Sequence, residues 1–360
     1  MLGAVQFGLL AACIVLFVPM GMAGWHLSRN KVLFFSGALF ITLAVGVHLT
    51  PYFPPFSSFI SSPSSSTVVV ASVNRDSCMS FLHEIEFDRK DSIFNGSYSG
   101  KSWKWLDSNK GVVGCDFQKL SRSDASDLLN GSWVVLAGDS QARLVVVSLL
   151  ELVMGLEEME RVRGDLFKRH SDYHTTVDAI GMKLDFIWAP YVSNLTDLVV
   201  EFREKRYFPD VFVMGAGLWD MLHVNNAMEY GVSVRMLKES VMPLLPVTPE
   251  FDIKDRPEVV RSPHMFWLGM PMLINLILNT EEKREKMTDA MWYAYDEQIY
   301  KSKLVRNFGG PLFLLDIHSL SSRCGRSCTT DGMHYGGVVY EAAMHIMLNA
   351  LLIESQQRLS

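Results

Sequence analysis

Five short apolar runs, rich in residues that favour extended backbone, recur from about residue 130 onward: Trp133–Ala137, Leu184–Ala189, Val211–Met214, Met265–Gly269 and Leu312–Ile317. They are nearly continuous in apolar character rather than alternating, so both faces of each need cover, as in a buried parallel strand. Between them lie longer segments of helical character, such as Leu195–Arg206 and the charge-rich Thr280–Val305. These connections are long enough for right-handed crossovers. The pattern predicts an α/β fold, a three-layer α/β/α sandwich around a parallel sheet. In such sheets, sites form at the carboxyl ends of the strands.

The first fifty of the 360 residues obey a different rule. Residues 1–24 and 32–50 contain no acid, lysine or arginine, and a polar break with His26, Arg29 and Lys31 separates them. Each run suffices to cross a hydrocarbon core of roughly 30 Å as a helix. Residues 32–50 are the better-supported span. Residues 1–24 are a second span or a cleaved signal peptide, although the basic leader of a signal peptide is lacking. Arg29 and Lys31 are expected to stay cytoplasmic, which puts everything after Thr50 on the lumenal side with one span or two.

Residues 51–74 are rich in proline and serine at their start and read as a stem. Residues 75–360 form the lumenal domain, with 75–120 as a cap tied onto it. Three Asn-x-Ser/Thr triplets, at Asn95, Asn130 and Asn194, are glycosylation candidates in that compartment. Asn130 just precedes an apolar strand and is expected to be shielded. Net charge is −6 and no basic run occurs, which argues against nucleic acid as a partner.

Cys13 lies within the first apolar run. Cys78, Cys115, Cys324 and Cys328 are an even set in an oxidising space and allow three pairings. Cys78–Cys115 with Cys324–Cys328 is the local choice. The alternative is zinc, since Cys-x3-Cys fits ligand spacing, but Cys78 and Cys115 are not a second close pair.

Chemistry concentrates at two places. The first strand ends in Ala137-Gly138-Asp139-Ser140, and a helix follows from Gln141. Ser140 then stands at a helix N-terminus, where free N–H groups and the helix dipole favour a developing oxyanion. Read blandly, Asp139 or Ser140 is only a helix cap. The last strand is followed by Asp331-Gly332-Met333-His334 and another helix. An aspartate and a histidine three apart form one local unit. The carboxylate holds one ring nitrogen while the other takes a proton from serine. Ser140, His334 and Asp331 are the expected catalytic set, opening on one edge of the sheet.

Gly138-Asp139-Ser140 with Asp331-x-x-His334 resembles the SGNH/GDSL hydrolase superfamily. Gly138-Asp139-Ser140-Gln141-Ala142-Arg143, Phe186-Ile187-Trp188-Ala189-Pro190 and Asp331-Gly332-Met333-His334-Tyr335 resemble its PC-esterase branch more closely. That branch includes the plant trichome-birefringence-like acetyltransferases. The stretches Gly24–Lys31 and Leu129–Trp133 are similar to a plant Golgi member of it, a likeness that extends over nearly the whole chain.

The resemblance implies a Golgi-membrane enzyme of cell-wall polysaccharide O-acetylation, on xyloglucan or xylan, acting through an acetyl-Ser140 intermediate. No cofactor is implied, and the acetyl donor is left open. The acceptor is a sugar hydroxyl, a carrier or water, and the enzyme an acetyltransferase or an acetylesterase. Other acetylation-pathway proteins are the implied partners beside the membrane and the polysaccharide. The alternative is a weakly active or non-catalytic binding partner. One departure favours it. Hydrolases of this superfamily carry a Gly-x-Asn block whose Asn lines the oxyanion hole, whereas here the stretch is Met214-Gly215-Ala216-Gly217-Leu218-Trp219-Asp220. The oxyanion is then expected to rest on backbone N–H groups near Gly215 and Gly217, together with that of Ser140.

Arg143 binds substrate oxygens or pairs with a carboxylate inside the domain. Trp188 and Trp219 stack on sugar or pack in the core, with packing favoured. His170, Asp172 and His174 alternate as if on one strand face, a weak metal pattern. His345 reads as a packing residue, and His264 has no evident partner.

Overall fold

The computed structural model describes residues 75–88, 101–245 and 262–358. The chain divides into two units, Met1–Ala71 and Ser72–Ser360, and all described residues lie in the second. The expected membrane segments, the stem and Asn95 lie outside the described residues.

Among the described residues there are eight strands: β1 (Ile85–Phe87), β2 (Trp103–Trp105), β3 (Trp133–Gly138), β4 (Tyr173–Val177), β5 (Met182–Trp188), β6 (Val211–Gly215), β7 (His264–Leu268) and β8 (Phe313–Leu315). The first two pair as a small antiparallel hairpin, with Ile85 opposite Trp105. The other six form one sheet in the order β4-β5-β3-β6-β7-β8. It is parallel throughout except for β4, which returns antiparallel beside β5. The chain winds from β3 outward to β5, then jumps back across β3 to β6 and on to β8. Winding therefore reverses at β3, and the ends of β5, β3 and β6 flank the crevice where such sheets bind ligands.

Alternation along each strand feeds two separate cores. Val134 and Leu136 face one side with Val211, Val213, Phe266 and Leu268. Trp133, Val135 and Ala137 face the other with Phe212, Met214, Met265 and Trp267. Helices Ser140–Val153 and Gly337–Arg358 cover the first face, and helices Val192–Lys205, Ala227–Val241 and Asp289–Ser302 the second. The three expected layers are thus present. The span Gly337–Ser355 is long and apolar enough to cross a membrane, yet Val339, Tyr340, Ala342, Ala343, Ile346, Met347, Leu348 and Ala350 are fully buried against the sheet. It is the core helix of the first face.

Local chemistry sets several boundaries differently from the sequence reading. The segment Thr280–Val305 is two helices, Glu281–Lys286 and Asp289–Ser302, because the Thr288 side chain accepts from Met291 N at 3.2 Å and starts a new N-terminus. The last strand stops at Leu315, since Asp316 caps a helix over Ile317–Cys324 by accepting from Ser319 N at 3.0 Å. Cys324 therefore ends a helix instead of lying in a loop.

Cys78 is joined to Cys115 and Cys324 to Cys328. The first disulfide links the two short helices flanking the β1–β2 hairpin. The hairpin is tied to the domain by Arg323, whose guanidinium donates to the carbonyls of His83 and Ile85. His345 is buried, with Leu120 N donating to its Nδ1 at 3.2 Å and Trp103 tilted against its ring. Burial lowers its pKa to about 4, so it packs as a neutral ring.

Candidate functional site

Strand β3 is buried at every residue and ends at Gly138, directly below Ser140. A Cβ on Gly138 would lie 2.5 Å from the carbonyl oxygen of Gly215, its register partner on β6. Only glycine permits this approach, and it draws the ends of the two strands together. Asp139 caps the following helix, its Oδ1 accepting from Gln141 N at 2.9 Å. Ser140 is the first helical residue, so its N–H has no acceptor within the helix.

His334 arrives from the far end of the chain. Its Nε2 lies 2.7 Å from Ser140 Oγ, and its Nδ1 lies 2.6 Å from Asp331 Oδ2. Asp331 Oδ1 accepts from the N–H groups of Met333 at 3.0 Å and His334 at 2.8 Å. Burial pushes the Asp331 carboxyl upward, but the His334 ring and these two N–H groups outweigh it and hold the acid well below the usual carboxylate range. An ionised Asp331 fixes Nδ1 as the protonated nitrogen and leaves Nε2 as acceptor for the serine proton. The arrangement can generate a serine nucleophile and return the proton to a leaving group.

Gly217 follows β6 at φ +139, a conformation that favours glycine, and precedes the helix Leu218–His223. Its neighbour Asp220 is a feature the sequence reading missed. The side chain is buried, and among the described residues its Oδ2 has no hydrogen-bond partner. Burial pushes its pKa up to about 7, with the nearby Asp139 charge adding to the rise. Asp139 is itself raised to about 6 by burial, against the opposing pull of Gln141 N–H and His334. Two buried acids whose ionisation is opposed by burial thus interact here, Asp139 within the Ser140 turn and Asp220 near it.

Aromatic rings stand at the same strand ends. Trp188 closes β5 in register with Gly138, and Trp219 follows β6. Their ring centroids are 5.5 Å apart, edge to face. His170 stacks on Trp188 at 4.8 Å and meets Trp219 at 5.0 Å. Tyr191 and His223 extend the group, the Tyr191 hydroxyl lying 3.2 Å from His223 Nδ1. Trp188 packs against the first core, as expected, and both indoles remain partly exposed.

Arg143 points under this group. It is buried, donates from one terminal nitrogen to the Ser171 carbonyl at 3.2 Å, and lies over the rings of Phe186 and Trp188. Among the described residues it has no carboxylate partner, and its Nε is unpaired.

The alternating triplet dissolves. Strand β4 begins only at Tyr173, and His170 sits in a turn at φ +53. Asp172 accepts from Trp188 N at 2.7 Å and His174 pairs with Asp185, so the three side chains diverge. His264 has a partner after all, Glu354, which Arg306 also contacts. Asn130 is exposed rather than shielded, because it ends the Arg122–Leu129 helix before β3 begins. Asn194 is exposed but lies in the first turn of a helix, with Tyr191 N donating to its side chain at 3.3 Å.

No protein-family model matches the chain. A curated relative does: Protein ALTERED XYLOGLUCAN 9 of Arabidopsis thaliana is 56% identical over 372 residues, covering 100% of both chains.

Proposed function

The chain belongs to the ALTERED XYLOGLUCAN 9 family, and on that premise we propose that it is a serine-dependent acetyl-handling enzyme of cell-wall polysaccharide O-acetylation. In this reading it is held in the Golgi membrane by its first fifty residues, with residues 75–360 in the lumen. The observation that carries the chemistry is the hydrogen-bonded chain from Ser140 Oγ through His334 to Asp331. The PC-esterase motifs agree with it. The relative's name contains xyloglucan, which supports a hemicellulose as the polysaccharide.

In the first half-reaction, Ser140 Oγ attacks the carbonyl carbon of an activated acetyl donor as His334 Nε2 takes its proton. The tetrahedral oxyanion rests on backbone N–H groups of Ser140 and Gly217. Its collapse breaks the bond to the donor, and His334 returns the proton to the leaving group. Acetyl-Ser140 remains. In the second half-reaction, an acceptor hydroxyl loses its proton to His334 and takes the acetyl group, regenerating Ser140. Trp188 and Trp219 would border the space for that acceptor, with Arg143 supporting the Trp188 ring from beneath.

One observation favours a different reading, a binding partner with little turnover: the loop after β6 has no Asn for the oxyanion. The test separates the two. The detergent-solubilised full chain is given a generic acetyl ester, with and without xylan or xyloglucan oligosaccharides. Acetate release and sugar mass are followed for wild type and Ser140→Ala. Serine-dependent transfer to sugar supports an acetyltransferase, and serine-dependent acetate release alone supports an esterase or transfer to a carrier. Equal behaviour of wild type and Ser140→Ala overturns the enzymatic reading.

A further inference from the structure

Gln141 is 4% exposed, although the adjacent Ser140 opens on the site. Its side-chain amide is engaged at both ends. Nε2 donates to the Met333 carbonyl at 3.0 Å, and Oε1 accepts from the Tyr340 hydroxyl at 2.6 Å. That same hydroxyl accepts from Tyr335 N at 3.3 Å. Met333 and Tyr335 are the residues on either side of His334. A single side chain, one peptide unit from the nucleophile, therefore holds the backbone before and after the base, directly on one side and through Tyr340 on the other.

Both anchors of this clamp are rigid. The Gln141 backbone is fixed by its own N–H to Asp139 Oδ1, and Tyr340 is fully buried in the core helix Gly337–Arg358. An apolar side chain of equal length would fill the same space but leave the Met333 carbonyl without its donor and the Tyr340 hydroxyl without its acceptor, at a cost of about 1–3 kcal/mol for each buried group left unpaired. The amide adds nothing through burial itself. What it supplies is direction, since its two hydrogen bonds fix where residues 333–335 lie relative to residue 140.

We propose that Gln141 and Tyr340 are positioning residues that set the Ser140–His334 separation, acting on the reaction through His334 without touching substrate. This rests on the acyl-serine reading above. Misplacing a reacting group by about 1 Å can cost on the order of 100-fold in rate, so the clamp should read out in kcat.

The test uses Gln141→Met, Gln141→Glu and Tyr340→Phe in the full chain, with Ser140→Ala as reference and acetyl-ester turnover as signal. Gln141→Met and Tyr340→Phe are expected to lower kcat by about 10–100-fold, with KM nearly unchanged, at temperatures where each is folded by circular dichroism. Gln141→Glu is expected to recover toward wild type as pH falls. A protonated carboxyl can donate to the Met333 carbonyl and accept from Tyr340, whereas a carboxylate faces that carbonyl with no proton to give. Wild-type kcat in folded Gln141→Met and Tyr340→Phe overturns the clamp, as does collapse of both, which would mark the amide as a folding element. Turnover equal in Ser140→Ala and wild type sinks the acyl-serine reading itself, a separate result.

Discussion

Asp331 Oδ2 and His334 Nδ1 are 2.6 Å apart within a single turn of chain, and the other oxygen of the same carboxylate takes two backbone N–H groups of that turn. The acid is thus bound to its own loop as firmly as to the imidazole. The pair behaves as one piece, delivered to Ser140 by the loop instead of assembled there from separate elements.

Asp331→Asn should therefore retain its fold and lose turnover. The amide can still accept from the two N–H groups, but it no longer selects the productive tautomer. A loss of about 10,000-fold in kcat is the magnitude expected for such a change. Near-wild-type turnover in a steady-state assay would contradict it.

The same carboxylate sets an acid limit on stability. Its folded pKa lies below the unfolded value, so its contribution is present above about pH 4 and is lost as pH falls further. Asp331→Asn should narrow the stability gap to wild type in acid, as read by thermal melts at pH 7 and pH 3.

Asp220 works in the opposite sense. Its folded pKa of about 7 exceeds the unfolded value, so the fold holds this proton better and loses stability as pH rises from about 4 to about 7. Asp220→Asn should melt several degrees above wild type at pH 8, with the difference shrinking toward pH 4. A constant difference across that range would show that ionisation is not the cause.

The two disulfides should separate stability from activity. Cys78–Cys115 spans 37 residues and Cys324–Cys328 only 4. Loop-closure entropy assigns them about 4 and about 2 kcal/mol respectively. The short bridge lies just upstream of Asp331. Cys78→Ser should lower the melting temperature more than Cys328→Ser, and Cys328→Ser should lower kcat more. Calorimetry beside acetate release decides this, and the reverse order would refute it.

Trp219→Ala offers a test of the acceptor side. Its ring neighbours are Trp188, His170, Tyr191 and His223, so truncation should change the melting temperature little. An aromatic contact worth about 0.5–1.5 kcal/mol corresponds to an acceptor KM raised roughly 2–10-fold, with hydrolysis of the acetyl ester unaffected. An unchanged acceptor KM would exclude a stacking role.

The buried strands could be read in the sequence because both faces demand apolar residues, and that demand leaves a contiguous mark. Strand β4 left only the polar alternation of His170, Asp172 and His174: Tyr173-His174-Thr175-Thr176-Val177 is an edge strand, buried only at its ends, so no apolar run marks it. Ser140, Asp331 and His334 were legible because their chemistry requires fixed residue types beside turns. Gln141 was not, since a glutamine in a first helical turn is unremarkable until its partners, 192 and 199 residues away, are in place. Asp220 was hidden for a similar reason. Its burial comes from packing around a six-residue helix that a hydropathy pattern does not resolve.

The sequence separation of 194 from Ser140 to His334 also has a meaning in time. At a synthesis rate of about 5–20 residues per second, His334 leaves the ribosome roughly 10–40 s after Ser140. The helix that seals the first core follows later still. On the proposed acyl-serine chemistry, Ser140 emerges without its base, so a nascent chain that has not reached His334 would carry an inert serine.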